Sequence, residues 1–222
     1  MTKSLLISCF VGDMEGVEDI LNENGEVDIN NGDDEDLNST PLVCAIFGNH
    51  LDIVKRLLEH PGLQLDKIVG EGGETALHLA CYYNRVSIVI LLCKDSRCSP
   101  GVVNMKDRYG NTALMRAVVM GHIDIVRELD KEGTDFFTED GSGRTLTARA
   151  RMVCEVEVEE EDGRDNEAVL KYLLERTKVD SLQVIAAHND ARYVRSKDEV
   201  DTLEIPVTLR GFLSRFVKPI NF

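Results

Sequence analysis

The chain has 222 residues, 43% of them apolar, which is enough to bury a sizeable core and too apolar for wholesale disorder. Its 40 acidic residues outnumber 25 basic ones, for a net charge of −15, and so acidic a surface argues against general nucleic-acid binding. No apolar run approaches the roughly 18 residues of a membrane span. The opening residues, Met1 to Leu5, enter a helical pattern without the apolar stretch and cleavage site of a signal peptide. None of the six cysteines forms a CxxC pair, so reduced thiols in a cytoplasmic or nuclear protein are expected.

Taken in chain order, the elements repeat. A degenerate copy over residues 3–31 carries Leu5, Gly12, Val17, Ile20 and Leu21 in register. An acidic run, Asp33 to Asp36, follows on a loop. Thr40-Pro-Leu-Val-Cys-Ala45 then leads to a second apolar run, Leu51-Asp-Ile-Val-Lys-Arg-Leu-Leu58. Thr75-Ala-Leu-His-Leu-Ala80 leads to Val86–Leu92, and Thr112-Ala-Leu-Met-Arg-Ala117 leads to Ile123–Leu129. The three threonines stand 35 and 37 residues apart, and a weaker copy begins 33 residues on at Thr145, with Ala150 in the alanine slot. Self-similarity at this period is the mark of a repeat architecture. Each threonine suits the cap of a helix. The alanines suit close approach of two helices, and Gly12, Asn49, Asn84 and Gly121 suit a left-handed turn between them. Ile53, Val54, Leu57 and Leu58 fall at helical spacing and should face the next repeat.

The TPL and TALH segments with their DIV-type second runs resemble the ankyrin repeat over roughly residues 3–177. The resemblance implies an all-α ankyrin-repeat solenoid of about five helix-loop-helix repeats, with a helical C-terminal extension. The last repeat departs from the pattern. An insertion at residues 154–165 separates its two helices, and seven of those twelve residues are acidic. An exposed acidic loop is expected there.

No catalytic, cofactor or metal site is read from the sequence. His50, His78 and His122 match family positions whose usual role is hydrogen bonding within or between repeats. Cys9, Cys44 and Cys81 fall near the alanine slots and read as small core residues. Cys93 and Cys98 have no second pair to complete a zinc site. Gly70-Glu-Gly-Gly73 is the loop ahead of Thr75 rather than a phosphate loop, and no GxSxG or HExxH occurs.

The resemblance implies partner binding on a concave face. Family contacts commonly come from the end of the first helix and from the loop before the threonine. The helix-end slots are Phe10-Val11, Phe47-Gly48, Tyr82-Tyr83 and Val119-Met120. Four of these eight are aromatic, in a chain that is 5% aromatic, so Phe10, Phe47, Tyr82, Tyr83, Val119 and Met120 are candidate anchors, with packing between repeats as the other reading. The loop slots Leu37, Arg108, Tyr109 and Asn111 would extend that surface. The acidic loops favour a partner with a basic segment.

Beyond residue 178 the pattern changes. Residues 186–222 hold six basic and five acidic residues. Asp180 or Ser181 can start an amphipathic helix, and Pro206 suits the first turn of another. One reading is a cap over the open end of the repeats. The other is a resemblance to the suppressor-of-cytokine-signalling box. Ser181, Leu182 and Ile185 match its first part, with Arg192 one place late, and Leu203, Ile205, Pro206, Leu209, Phe212 and Leu213 match its second. Ala186 and Glu204 depart from it. That resemblance implies an elongin-type adaptor and a substrate-recruiting role in a cullin-type ubiquitin ligase, as the alternative to a non-catalytic interaction scaffold.

Overall fold

Thr40, Thr75 and Thr112 each stand in extended backbone immediately before a helix. The Thr40 hydroxyl accepts the Val43 amide at 3.4 Å, and the Thr112 hydroxyl accepts the Met115 amide at 3.3 Å. Thr145 does the same for Ala148 at 3.3 Å. Each bond satisfies one of the amides that a helix's first turn leaves without a partner. Pro41 lacks an amide proton and costs nothing at the first helical position. The turns also follow the sequence. Gly12, Asn49, Asn84 and Gly121 have φ of 86°, 59°, 56° and 70°, the left-handed region that Gly and Asn enter at least cost.

A computed structural model describes residues 2–23, 27–32, 39–155 and 165–177. In chain order the helices are α1 (Thr2–Val11), α2 (Met14–Glu23), α3 (Pro41–Gly48), α4 (Leu51–Leu58), α5 (Ala76–Tyr82), α6 (Val86–Lys94), α7 (Pro100–Val103), α8 (Ala113–Val119), α9 (Ile123–Lys131), α10 (Leu146–Glu155) and α11 (Asn166–Thr177). Among the described residues the fold is all-α, with isolated bridges at Val69–Glu74 and Glu139–Thr145. Leu37, both acidic runs apart from Cys154, Glu155 and Asp165, and the whole segment 178–222 lie outside the described residues. The adaptor-box and capping readings therefore fall outside them too.

The chain divides into two compact units, Met1–Val169 and Leu170–Phe222. In the first, the helices form two layers. One layer stacks α1, α3, α5, α8 and α10, each on the next, and the other stacks α2, α4, α6 and α9. Ala45, Ala80, Ala117 and Ala150 are buried on the first-layer helices. The second layer buries the same three positions in each repeat: Ile53, Val54 and Leu57; Ile88, Val89 and Leu92; Ile125, Val126 and Leu129. Each such aliphatic side chain contributes about 1.5–3 kcal/mol by leaving water. Leu58, expected to join them, is half-buried because it closes the last turn of α4. In the second unit, residues 170–177 complete α11, with Leu173 fully buried and Thr177 Oγ1 donating to its carbonyl at 2.7 Å.

His78 joins two repeats through the interior. Its Nδ1 accepts the Thr75 amide at 3.2 Å, so Nε2 carries the proton and donates to the Asn111 carbonyl at 3.0 Å. Burial disfavours the charged ring and outweighs the Asn111 carbonyl and the Asp107 charge, so the pKa lies below the ordinary imidazole value. The unfolded chain takes up a proton below about pH 6.5 while the folded ring resists it. Stability should therefore fall as the pH drops through that range. Urea unfolding between about pH 7.5 and 5.5 should show a loss on the order of 1 kcal/mol. His78→Gln should be less stable at neutral pH and lose less on acidification. Equal losses in the two proteins would show that His78 is not the group responsible.

Candidate partner-binding surface

The residue after each inter-helix turn reaches back to the preceding repeat. His50 Nε2 bonds the Phe10 carbonyl at 3.0 Å, Arg85 Nη2 donates to the Phe47 carbonyl at 3.1 Å, and His122 Nε2 bonds the Tyr82 carbonyl at 3.2 Å. A different donor type fills the slot in the middle repeat, and the acceptor is the same backbone group each time. These bonds place Phe10, Phe47 and Tyr82 at equivalent positions, at or beside the ends of the first-layer helices. Glycine makes room for the first of them. A Cβ on Gly12 would lie 2.5 Å from the His50 ring, and one on Gly48 would lie 2.5 Å from the Phe10 carbonyl oxygen and against the same ring.

The aromatic side chains gather beyond this seam. The Phe47 and Tyr83 rings stand edge to face, 5.1 Å apart at 88°, and Tyr82 and Tyr83 do likewise at 5.0 Å and 81°. Such pairs are worth about 0.5–1.5 kcal/mol beyond the area they bury. Tyr82 keeps 38% of its surface exposed, Tyr83 41% and Phe10 55%, while Phe47, Val119 and Met120 are half-buried. Ile7 and Val11 are exposed beside Phe10 on α1, three and one residues away along the helix.

The hairpin loops before the threonines join edge to edge. Arg108 donates its backbone N–H to the Gly72 carbonyl at 2.9 Å, and Gly141 donates to the Tyr109 carbonyl at 2.8 Å. Gly110 has φ of 76°, and a Cβ there would run into the Gly141 backbone. Beneath the tips lie two carboxylates that sequence reasoning overlooked. Asp107 accepts the Tyr109 and Asn111 amides at 2.9 and 2.8 Å, the Asn111 side-chain amide at 3.1 Å, and Arg116 Nη2 at 2.6 Å. The same Arg116 nitrogen reaches Glu74 of the neighbouring loop at 3.0 Å. Asp140 accepts the Ser142 and Arg144 amides at 2.8 and 3.0 Å and Arg144 Nε at 3.0 Å. Burial alone would push both carboxyls up. The amides and guanidinium groups prevail and hold both below the usual carboxylate range. The available signal was position: each aspartate precedes its repeat's threonine by five residues.

Two expectations need correction or support here. Arg108 and Tyr109 are exposed, Tyr109 at 66%, but Asn111 is 7% exposed and its amide is bound to Asp107. It shapes the loop from inside, with its side-chain amide committed to Asp107. Cys9, Cys44 and Cys81 are buried, and burial, with a lesser push from Cys44, raises the Cys9 thiol to about 12.

The sequence matches the family described as ankyrin repeats in three copies over residues 5–104 and 71–140, together more than half of the chain. The chain belongs to the ankyrin-repeat family. Human photoreceptor ankyrin repeat protein is 43% identical to it over 58 residues, which is 26% of this chain. That stretch spans 12% of the human protein's own length. Ankyrin repeats generally mediate protein–protein interaction. Among the described residues, no helix is long and apolar enough to cross a membrane, and no group of His, Cys, Asp or Glu is placed to hold a metal ion.

The seam between the first two repeats can be tested directly. Gly48→Ala should displace the His50 ring from the Phe10 carbonyl. The strain and the lost bond together should cost about 1–3 kcal/mol. Thermal unfolding reads this as a melting point lower by a few degrees, about 2–4 °C per kcal/mol for a chain of this size. An unchanged melting point would show that the ring adapts without cost.

Proposed function

We propose that the chain is a non-catalytic scaffold, acting in the cytoplasm, that binds a partner protein on the concave side of its repeats. The anchors are Phe10, Phe47, Tyr82, Tyr83, Val119 and Met120. The observation that carries this reading is the cluster of Phe47, Tyr82 and Tyr83: the Tyr83 ring packs against both of the others, and two of the three residues are more than a third exposed. Rings that fix one another's orientation lose little entropy when a partner covers them, and aromatic residues are enriched among the anchors of protein interfaces. The net charge of −15 draws a partner segment that carries basic residues around its apolar anchors.

Affinity capture from native lysate, with partners identified by mass spectrometry, supplies the ligand for the test. Replacing Tyr82 and Tyr83 together with alanine should weaken binding of that partner by about 2 kcal/mol or more, roughly thirtyfold, with the thermal unfolding transition retained. Binding that persists at full strength would remove the row from the interface. Loss of the folded state in step with binding would assign the two rings to the core.

A further inference from the structure

An open groove of about 420 Å³ lies at the joined tips of the last two hairpins, and its charge is opposite to that of the chain. Arg108, Arg144 and Arg149 line it together with Tyr109, and the Asp140 carboxylate lies in its floor. The Asp140 side chain is 2% exposed and has two guanidinium neighbours, Arg144 Nε at 3.0 Å and Arg149 Nε at 3.5 Å. One carboxylate cannot neutralise both. The third guanidinium, that of Arg108, is on an exposed residue and makes no ion pair or hydrogen bond among the described residues. Three positive charges against one negative leave the groove electropositive, in a chain of net charge −15. Beside it, Glu74 and Asp107 share the one cation Arg116, a trio of net charge −1, so the balance of these groups stays about one charge positive.

We propose that this groove binds a carboxylate side chain in an acidic segment of a partner protein. Planar guanidinium groups accept a carboxylate through paired N–H donors. The exposed Tyr109 ring offers a flat apolar seat for the residue beside that carboxylate. A single carboxylate balances that surplus positive charge, whereas a doubly charged phosphate would leave uncompensated negative charge beside buried Asp140. The geometry supports recognition at short range only. The field of the whole chain opposes an acidic partner at a distance, so binding depends on contact with the three arginines rather than on steering. This site lies on the hairpin tips and does not depend on the aromatic row.

The test uses the full chain and a fluorescein-labelled peptide with a Glu-Leu-Glu-Leu-Glu core, read by fluorescence anisotropy. Peptides with Gln, Lys or phosphoserine in place of Glu are compared in parallel. The glutamate peptide should bind saturably and more tightly than the other three. Arg108→Gln should weaken it by about tenfold or more, as expected for loss of a charge-assisted contact. Arg108 has no partner to lose, so this variant should keep the wild-type thermal transition, and the result does not depend on substituting Arg144 or Arg149 beside buried Asp140. Arg108→Lys should restore part of the affinity. Absence of saturable binding, an unchanged affinity in Arg108→Gln, or preference for the lysine or phosphoserine peptide would overturn the proposal. Tyr82→Ala/Tyr83→Ala should leave the peptide affinity unchanged, which separates failure of this site from failure of the aromatic row.

Discussion

The first four copies of the repeat are bound together by one recurring bond: a side-chain nitrogen placed just after the inter-helix turn, reaching the backbone carbonyl at the end of the preceding repeat's first helix. Single repeats of this kind cannot bury their apolar faces alone, so stability comes from stacking, and stacking needs a register. Apolar packing between α4 and α6, or between α6 and α9, is non-directional and tolerates sliding. A hydrogen bond of 3.0–3.2 Å to a fixed carbonyl does not. The left-handed turn residue sets the direction of the donor. The glycines at 12 and 48 remove the methyl groups that would occupy its path.

A second polar layer closes the hairpins. In Asp107 and Asp140 a carboxylate is taken out of water and surrounded by amides of its own loop and by guanidinium groups from the following helix. Removing a charge from water costs several kcal/mol unless partners replace the lost hydration, and here four donors do so at Asp107. Arg116 extends the same network to Glu74, so the loops of adjacent repeats are tied electrostatically as well as by backbone bonds. Arg97 works in a comparable way on the other layer. Its guanidinium donates to the carbonyls of Leu58, His60 and Leu63 at 2.6, 2.9 and 3.3 Å, and its own orientation is held by Asp95. The carbonyls at the C-terminal end of α4 carry the negative end of the helix dipole, which a cation there stabilises.

The helices were legible because their signals are local. A threonine before an apolar run, an alanine five residues on, and an Asn or Gly at the turn are each read over a few residues, and all three features recur at the repeat period. The degenerate first copy was legible for the same reason, through Gly12 and Val17. Part of what the sequence concealed depends on partners more than thirty residues away. Arg97 reads as one surface cation among many until Leu58 and His60 are placed beside it. Asp107 and Asp140 read as ordinary loop aspartates, since a single carboxylate gives no sign that it will be buried. Asn111 was misread for the converse reason. A polar residue at a loop slot is expected to face solvent, yet its neighbour Asp107 takes both its backbone and side-chain N–H groups and draws it inward. The short helix α7 has a local signal, Ser99 followed by Pro100, but at four residues it is too brief to show a period.

The bonds that hold the repeats together also explain where side chains are free to vary. At the aromatic row the acceptor is the backbone carbonyl of Phe10, Phe47 or Tyr82, so stacking constrains the main chain there and asks nothing of the ring. At the hairpin tips the donors and acceptors are the backbone groups of Arg108, Tyr109, Gly72 and Gly141. Again the side chains of Arg108 and Tyr109 take no part. Both places therefore combine a rigid backbone with an uncommitted side chain, and that combination is what a recognition surface needs, because a fixed anchor loses little freedom on binding. Asn111 and Asp140 show the opposite arrangement: their side chains form the internal bonds, and they are buried. The division between residues that build the fold and residues available to a partner thus follows from which atoms carry the inter-repeat bonds.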